Sequence, residues 1–443
     1  MVTDHRAEAD QVIDELYQRM GESSPQPRLW PTRRAVELLG DPQQMFGVVH
    51  LTGSNGKTST ARIIDALLRA HGLRTGLMTS PHLERINERI VIDGEPVSDE
   101  ALVANYRDID PVLTMVDAEL LAGGEPALSF FETLTVLTLA CFADAPVDVA
   151  VLEVGMGGEW DATNVAHADV AVFTPIALEH TEILGDTVVE IAKTKSGIIK
   201  PASRVVTSLQ KPEVFDVLQS AAEHNESSMT VVGRDVELLA TTPGVGGQVV
   251  DFRLRHAEYR SIPLPLFGLH QADNAVLAAA AVEQFIGGGE QEISREVVEE
   301  ALGHSSSPGR LQVVAHRPTV IIDAAHNPHG AESLARALMQ SFQFETLVVV
   351  LGVLRDKDAR GIVEALDPLA DMFVVTQSES DRAVPAEDLA ETVIPVAGPD
   401  RTSWRDNLID AIELAQQQAG ADGGVVVTGS VTVIAEALEW AER

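Results

Sequence analysis

The chain has 443 residues, more than one hydrophobic core usually serves, so two domains are expected. Hydrophobic residues make up 45% of it, which argues against extensive disorder. The formal net charge of −35 argues against nucleic acid and anionic membranes as partners, and any anionic substrate would need a local basic pocket.

The sequence also indicates the cellular compartment of the protein. Its single cysteine, Cys141, cannot form an intrachain disulfide. The charged start lacks the apolar core of a secretory signal, and no apolar stretch is long enough to span a bilayer. We therefore expect a soluble, cytoplasmic protein.

The first fifty or so residues are predicted to be mainly helical. One helical pattern is marked by Val12, Leu16 and Met20, and a second runs over residues 33–39. A Pro/Ser-rich loop over residues 21–31 separates them. Only about fifty residues therefore precede the glycine-rich turn that follows.

A strand, a glycine-rich turn and a helix start follow one another from Val48 onward, and this order predicts a phosphate-binding loop. Lys57 would neutralise the β- and γ-phosphates, and the Thr58 hydroxyl would lie near Mg²⁺. The spacing differs from the ordinary P-loop, because Leu51 stands where that pattern has its first glycine. The predicted loop residues are Gly53, Ser54, Asn55, Gly56, Lys57, Thr58 and Ser59.

Three later strand ends present polar side chains. Ser80 follows the strand at 75–79, Glu153 ends the next buried strand, and His180 follows the one after that. Ligands bind at the carboxyl ends of parallel strands, and a buried carboxylate is costly unless it is paired or bound to metal. These three groups would lie side by side if their strands are neighbours, although for Ser80 composition alone favours a helix cap.

Two further features suggest a substrate site. Aromatic residues make up only 4% of the chain, yet Phe130 and Phe131 stand together where a loop enters a helix. We expect Phe130 in the core, whereas Phe131 could stack on a flat heterocycle. The Gly-rich loop at 155–164 follows a strand end and contains polar side chains that suit a substrate.

Lysine is scarce in this chain, so its positions are informative. Lys193, Lys195 and Lys200 cluster on or near a helix predicted over residues 187–199. An amine can lose its proton, which arginine cannot do in proteins, so this cluster and Lys57 are candidates for chemistry that needs an amine.

The second half changes pattern twice. Residues 236–265 are Gly-rich with alternating polar and apolar residues, which predicts antiparallel strands added at the sheet edge, and helices follow over 268–286 and 294–302. From Pro308 onward, strands and helices alternate again, which predicts a second parallel sheet. The strands of that sheet are predicted near residue 313 and over 320–323, 347–351, 373–376 and 425–428.

We therefore predict an α/β protein of two domains. A large, P-loop-containing domain with a mainly parallel sheet would cover residues 1–303. Residues 304–308 would form a linker to a smaller, Rossmann-like α/β domain over residues 309–443.

The motifs together resemble the folylpolyglutamate synthase family of the Mur ligase superfamily, in particular its bacterial bifunctional form that is also a dihydrofolate synthase. The most specific matches are the Gly53–Ser59 loop, the Glu-x-Gly-Met-Gly-Gly-x-x-Asp run ending at Asp161, and the Asp-x-x-His-Asn-Pro run starting at Asp323. Further matching stretches are Ser80–Leu83, Ser129–Glu132, Glu179–His180, Lys193–Gly197, His270–Asn274 and Pro308–Arg310.

The resemblance implies an ATP-dependent ligase with a Mur-ligase-like central domain. Such an enzyme joins L-glutamate to the carboxylate of dihydropteroate or of folates through an acyl phosphate, and it releases ADP and phosphate. ATP would bind between the two domains, with two Mg²⁺ ions and K⁺ as a further candidate ion. The partners would be these small molecules only, and the protein would be a monomer.

The resemblance also assigns roles to individual residues. It implies that Lys195 is carbamylated, with Lys193 as the rival by position. The implied catalytic residues are Lys57, Glu153, His180 and Lys195, and the implied metal ligands are Thr58, Ser80, Glu153 and His180. Outside the phosphate loop, the implied nucleotide ligands are Asn274, Arg310, Asp323 and His326. The implied pteroate-contacting residues are Ser129, Phe131 and Asp161.

Two alternatives stay open. A Mur-type ligase of peptidoglycan synthesis would carry a UDP-binding domain of roughly a hundred residues before the phosphate loop, and this chain has about half that length there. A non-catalytic ATP-binding module is the alternative of another class. A mere binder needs no second metal, so the co-occurrence of the following residues argues against it: Lys57, Glu153, His180, Lys195, Arg310 and His326.

Overall fold

The computed structural model describes residues 5–21 and 25–442, which divide into two compact units. The first unit contains the residues up to Ala240 together with Val250–Pro263 and Asp273–Ser305. The second unit contains Thr241–Val249, Leu264–Ala272 and the residues from Ser306 onward. Each unit is therefore assembled from more than one segment of the sequence.

An eight-stranded sheet forms the centre of the first unit. Its strands are β1 (Gly47–Thr52), β2 (Thr75–Met78), β3 (Ile90–Ile92), β4 (Glu95–Pro96), β5 (Val149–Glu153), β6 (Val170–Phe173), β7 (Arg204–Thr207) and β8 (Ser228–Val231). Their order is β4-β3-β2-β5-β1-β6-β7-β8. In this order, neighbouring strands from β2 through β5, β1, β6 and β7 to β8 pair in parallel. At the other edge, β3 pairs antiparallel with β2, and β4 pairs antiparallel with β3. The apolar runs of β1, β5 and β6 are buried, as expected for a parallel sheet covered on both faces.

Helices connect these strands. The helices that begin before residue 305 are α1 (His5–Tyr17), α2 (Trp30–Leu38), α3 (Lys57–Ala70), α4 (Asp99–Ala122), α5 (Phe130–Asp144), α6 (Thr181–Leu184), α7 (Val188–Ser196), α8 (Pro212–His224), α9 (Leu269–Gly287) and α10 (Arg295–Gly303). Apolar side chains of α1, α2, α4 and α5 form one buried cluster, and those of α7 and α8 form another. These clusters hold the loops at the carboxyl ends of the strands.

Three strands form a separate sheet. They are β9 (Glu237–Gly244), β10 (Gly247–Arg253) and β11 (Glu258–Leu264), in the order β11-β10-β9. The prediction of strands here is confirmed, but the prediction that they extend the edge of the large sheet is wrong. Short turns join these strands, so they pair with one another rather than with β4 or β8.

The second unit contains a six-stranded sheet. Its strands are β12 (Gln312–Ala315), β13 (Thr319–Asp323), β14 (Leu347–Leu351), β15 (Met372–Val375), β16 (Thr402–Trp404) and β17 (Gly424–Thr428), in the order β12-β13-β17-β14-β15-β16. All pairs are parallel except β12 with β13. Its helices are α11 (Pro328–Ser341), α12 (Ala359–Leu366), α13 (Ala386–Ala397), α14 (Leu408–Ala419) and α15 (Val431–Ala441). The predicted α/β class with two mainly parallel sheets is thus confirmed.

The start of the chain differs from the prediction in two places. Met20 lies beyond α1, which ends at Tyr17. Trp30 and Pro31, predicted as the end of a loop, begin α2 instead. Proline is tolerated in the first turn of a helix because the N–H that it lacks would have no partner within the helix.

The predicted boundary at 304–308 stays a prediction, but the division seen in the structure is less simple than one cut. Residues 241–249 and 264–272 group with the second unit, although they precede that boundary. Over the described ranges, no helix is long and apolar enough to cross a membrane.

Candidate active site

The loop between β1 and α3 has the geometry of an anion cradle. Gly53 and Gly56 both have positive φ values, +151° and +85°, which side chains rarely permit. A Cβ at Gly53 would collide with the Thr174 hydroxyl, and one at Gly56 would lie 2.7 Å from Oδ1 of Asn274. Gly56 caps α3 without a side-chain acceptor, and no acidic residue lies in the first turn of α3. The dipole of this helix therefore favours an anion at this point.

Two lysines meet at the carbonyl oxygen of Gly53. The Nζ of Lys57 lies 2.9 Å from it, and the Nζ of Lys195 lies 3.1 Å from it. Lys57 begins α3, whereas Lys195 reaches the same oxygen from the last turn of α7. The structure thus brings two ammonium groups to one phosphate-loop atom, in a protein whose overall charge is strongly negative.

Lys195 is buried and forms an ion pair with Glu179, with 2.8 Å between Nζ and Oε1. Burial lowers the pKa of Lys195, although the Glu179 carboxylate works in the opposite direction. Burial alone would raise the pKa of Glu179, but Lys195 and Lys57 outweigh it and leave that pKa well below its ordinary value. Glu179 is therefore ionised at neutral pH and neutralises one of the two lysines.

Glu153 lies at the carboxyl end of β5 and is buried. Its Oε1 accepts a hydrogen bond from the Thr58 hydroxyl at 2.9 Å, and its Oε2 accepts one from the Ser80 amide at 3.4 Å. The structure thus brings together three of the four predicted metal ligands. Mg²⁺ bound with a nucleotide takes oxygen ligands such as a carboxylate, a hydroxyl and the phosphates, so the Glu153 carboxylate and the Thr58 hydroxyl fit that ion.

His180 is placed differently. It precedes α6 with a φ of +46°, on the loop after β6. In the sheet, β1 stands between β5 and β6, so the strand ends that lead to Glu153 and His180 are not neighbours. Among the described residues, no group of three or more His, Cys, Asp or Glu side chains is arranged to hold a metal ion. Protein side chains alone would therefore supply only part of the coordination of an ion here.

Asp161, a predicted pteroate ligand, organises its own loop. Its Oδ2 accepts from the Met156 amide at 3.0 Å, and its Oδ1 accepts from the amide of Thr163 at 3.0 Å and from the Thr163 hydroxyl. Asp161 is 4% exposed. Burial raises its pKa, and these hydrogen bonds partly offset the effect. The Gly155 backbone also hydrogen-bonds to this carboxylate, so its own loop uses most of the acceptor capacity of Asp161.

Ser129 and Phe131 lie at the start of α5. The Ser129 hydroxyl caps the helix by accepting from the Glu132 amide, and the Glu132 carboxylate accepts in turn from the Ser129 amide at 2.7 Å. The Phe131 ring lies against Gly155, where an added Cβ would approach it to 2.6 Å. Phe130 is buried, as predicted. The structure thus places Phe131 beside the Gly-rich loop that contains Asp161.

Asn274 lies on α9 beside the phosphate loop of the first unit. An added Cβ at Gly56 would meet both its Oδ1 and Nδ2 atoms. Asn274 is 5% exposed. This predicted nucleotide ligand therefore contacts the turn that the phosphates are predicted to occupy.

The remaining predicted nucleotide ligands lie together in the second unit, around Asp323 at the end of β13. Its two carboxylate oxygens accept from the amides of Leu311 and Ala325 at 2.8 and 2.9 Å. Burial raises the pKa of Asp323, and Arg310 opposes that effect. The Ala324 carbonyl oxygen lies 3.3 Å from Nη1 of Arg310 and 2.9 Å from Nδ1 of His326. Since a carbonyl only accepts, Nδ1 of His326 carries the proton.

Two important partners were not among the predicted site residues. Glu179 belongs to a matching Glu-His stretch, but nothing in the sequence pairs it with Lys195. Arg28 makes a double ion pair with Glu132 at 3.0 Å on each oxygen, and it supports the start of α5 from a loop before α2. Both pairs join residues far apart in the sequence, so spacing could not reveal them.

The chain matches two known domain models. The Mur ligase middle domain matches residues 51–282, and the Mur ligase, glutamate ligase domain matches residues 309–431. The chain is also 45% identical to the dihydrofolate synthase/folylpolyglutamate synthase of Mycobacterium tuberculosis over 444 residues, which covers 95% of this chain and 91% of that relative.

Solved structures show the same similarity. Mycobacterium tuberculosis folylpolyglutamate synthase complexed with ADP superposes with a TM-score of 0.94 at 43% identity, over 99% of both chains. Escherichia coli FolC in complex with DHPP and ADP superposes with a TM-score of 0.86 at 28% identity, over 98% of this chain and 97% of that one.

Proposed function

This chain belongs to the dihydrofolate synthase/folylpolyglutamate synthase family of the Mur ligases, and we propose that it uses ATP to join L-glutamate to the carboxylates of dihydropteroate and of folates. The observation that carries this conclusion is the similarity over almost the whole chain, 45% identity across 95% of its length. It is an ATP-dependent acid–amino-acid ligase, and ADP and phosphate are the other products.

The reaction needs an activated carboxylate, because a carboxylate is a poor electrophile. In the proposed first step the acceptor carboxylate oxygen attacks the γ-phosphorus of ATP, the bond to the β-phosphate oxygen breaks, and ADP leaves. In the second step the neutral amine of glutamate attacks the acyl phosphate, which loses inorganic phosphate and one proton to give the amide. Positive charge must meet the phosphoryl group during its transfer.

Lys57 is the proposed source of that charge. Its Nζ lies beside the Gly53 carbonyl at the start of the loop, within the region that the helix dipole already makes favourable for phosphate. We propose that the loop residues Ser54, Asn55, Gly56, Thr58 and Ser59 hold the phosphates together with Gly53 and Lys57. Asn274, Arg310, Asp323 and His326 are proposed as further nucleotide ligands.

Glu153, Thr58 and Ser80 are the proposed ligands of one Mg²⁺ ion, with His180 near a second. When bound, such ions would neutralise charge that develops on the transferring phosphoryl group. Glu153 supports this assignment because it is a buried carboxylate whose oxygens contact a phosphate-loop hydroxyl. The number of ions and a contribution of K⁺ are part of the proposal.

Lys195 is proposed to react with carbon dioxide and become carbamylated. The ammonium first loses one proton; the neutral amine then forms an N–C bond to CO₂ and loses a second proton, so the side chain changes from cationic to anionic. Its attraction to Glu179 would then become repulsion between two buried carboxylates. A cation held between them would remove that repulsion, which supports a metal ion near Lys195.

The acceptor site is proposed at Ser129, Phe131 and Asp161. Phe131 would stack on the pteridine ring, and Asp161 would accept a hydrogen bond from its N–H groups. Ser129 would contact the acceptor at the start of α5, where its hydroxyl also caps the helix. We further propose that the protein acts as a monomer in the cytoplasm.

Phosphate release with three acceptors tests this function. Purified protein is mixed with ATP, Mg²⁺ and L-glutamate, and dihydropteroate, a reduced folate and a UDP-muropeptide are compared. Turnover with the first two would establish the bifunctional enzyme, and turnover with the folate alone would leave a folylpolyglutamate synthase. Turnover with only the muropeptide, or with none of the three, would contradict the proposal.

A further inference from the structure

The strand that leads to the phosphate loop contains a buried histidine that is not among the proposed catalytic, nucleotide-binding, metal-binding or acceptor-binding residues. His50 lies in β1, three residues before Gly53, and is 0% exposed. Its Nε2 lies 2.8 Å from the hydroxyl oxygen of Thr163. That hydroxyl also contacts Oδ1 of Asp161. We call the chain from His50 through Thr163 to Asp161 the His50 relay.

The direction of each hydrogen bond in the relay follows from chemistry. The Asp161 carboxylate can only accept when ionised, so the Thr163 hydroxyl donates its one proton to Oδ1. That hydroxyl must then accept from His50, so Nε2 of His50 carries a proton. Burial lowers the pKa of His50 to about 3, with a smaller contribution from Lys200, so the ring is neutral at physiological pH. The relay therefore has one defined protonation pattern.

The His50 relay reaches the 155–164 loop, and β1 makes a second hydrogen bond to the same loop. Side chains two residues apart in a strand lie on the same face. Thr52, on the same face as His50, donates from its hydroxyl to the Gly157 carbonyl at 2.8 Å. The 155–164 loop is thus fixed at both of its ends to the strand that ends in the phosphate loop.

Packing alone does not explain a histidine at this position. Its Nδ1 is buried and has no hydrogen-bond partner in the part of the chain that the structure describes. A buried polar atom without a partner lowers stability, and an apolar residue of similar size would avoid that loss. The one polar contact that His50 makes is the one that orients Thr163 toward Asp161.

We propose that His50 is a positioning residue of the acceptor site. Acting through Thr163, it holds the Asp161 carboxylate and the 155–164 loop in the conformation that binds the pteridine end of the acceptor. This inference rests on the proposed function, because it takes Asp161 as a pteridine ligand.

Steady-state kinetics with dihydropteroate and ATP tests the proposal, using His50→Leu and Thr163→Val. Each variant removes the hydrogen bond between the two side chains and keeps the volume nearly unchanged. We expect the KM for dihydropteroate to rise about tenfold in each, while the KM for ATP changes less than about twofold. Because the relay acts as a unit, the double variant should be no worse than the more impaired single variant.

Two further variants separate positioning from stability. His50→Gln can still donate an N–H near the position of Nε2, so it should recover part of the acceptor affinity. Val49→Ala removes buried volume from the same strand on its opposite face, so it should lower the melting temperature and leave the KM for dihydropteroate unchanged. A melting temperature of His50→Leu equal to or above that of the wild type, with the raised KM, would fit the loss of an unpartnered buried nitrogen.

The outcomes are distinguishable. If the wild type turns over neither dihydropteroate nor folate, the proposed function fails. If the wild type is active and both single variants keep its KM for dihydropteroate, or raise the KM for both substrates equally, the His50 proposal is wrong. If His50→Leu does not fold, His50→Met, which also lacks an N–H donor and keeps an apolar side chain of similar volume, gives the same test.

Discussion

At the scale of single residues, the site depends on where a few cations lie in a strongly acidic protein. Lys57 and Lys195 share the Gly53 carbonyl, and Lys195 also forms an ion pair with the carboxylate of Glu179. The two lysines therefore present different chemistry at one point, a charge for phosphate and an amine that burial makes easier to deprotonate.

Lys57→Ala should remove most of the activity. Without this ammonium the phosphate loop loses the side-chain charge proposed to stabilise the transferring phosphoryl group, so we expect kcat/KM to fall at least about a hundredfold in the phosphate-release assay. Lys211→Ala is the matched control, because Lys211 is an exposed lysine that precedes α8. Activity of Lys57→Ala close to that of the control would contradict the phosphate-loop assignment.

Lys195→Arg should be inactive, whereas Lys193→Arg should be tolerated. Arginine keeps the charge but cannot form a carbamate, and Lys193 is exposed while Lys195 is buried against Glu179. Carbamylation of the wild type, followed by ¹³C NMR with labelled bicarbonate, should increase with pH, because the amine must first lose its proton. Its midpoint should lie below the ordinary lysine pKa, since burial lowers the pKa of Lys195. The reverse pattern between the two variants would assign the modification to Lys193.

At the scale of elements, hydrogen bonds from several neighbouring segments hold the 155–164 loop. Besides its bonds to β1, the Glu159 amide donates to the Thr194 carbonyl at 2.8 Å, and Nδ2 of Asn164 donates to the Gly197 carbonyl at 3.2 Å. The loop is therefore tied both to the phosphate-loop strand and to the helix that carries Lys195. Such support from neighbouring elements keeps the residues that would contact a substrate in place.

Phe131→Ala should weaken acceptor binding more than ATP binding. Loss of a stacked ring should raise the KM for dihydropteroate about tenfold, and Phe131→Leu, which keeps apolar volume but not the ring face, should recover little of that loss. Gly155→Ala should act in the same direction, because its Cβ would approach the Phe131 ring to 2.6 Å. Equal changes in the KM for both substrates would make Phe131 a packing residue only.

The sequence was sufficient for patterns that are local. The strand, turn and helix around Gly53 and the buried strand that ends at Glu153 follow from residues close together in the chain, and the structure confirms them. Strand order depends on pairing between distant segments, so the placement of β1 between β5 and β6 was not predictable. The same reason hid the pairing of Lys195 with Glu179 and of Arg28 with Glu132. The hydrogen bonds of Asp161 are local, but they depend on a loop conformation that the Gly-rich pattern does not define.

At the scale of the whole molecule, the net charge of −35 opposes the approach of every substrate, since ATP, glutamate and the acceptor are all anionic at neutral pH. The lysines of the site act only over short distances, within about 10 Å at moderate ionic strength. Long-range repulsion and local attraction should therefore have different salt dependences.

The value of kcat/KM for dihydropteroate should rise a few-fold when NaCl is raised from about 10 to 150 mM, because screening weakens the long-range repulsion first. The measurement is the initial rate at low acceptor concentration with ATP and Mg²⁺ held saturating. Since kcat is not limited by encounter, it serves as the internal control and should change little. A steady fall of kcat/KM over this range would show that local attraction by the site dominates encounter.

The discontinuous second unit limits how this protein can be dissected. A fragment that began at residue 306 would lack residues 241–249 and 264–272. Among the missing residues is Phe267, whose ring centroid lies 5.0 Å from that of Phe342 in the core of the second unit. Such a fragment would expose an apolar surface to water and is expected to aggregate. The second unit therefore cannot be exchanged by gene fusion at a single junction. A chimaera with a relative would have to exchange residues 241–249, 264–272 and 306–443 together.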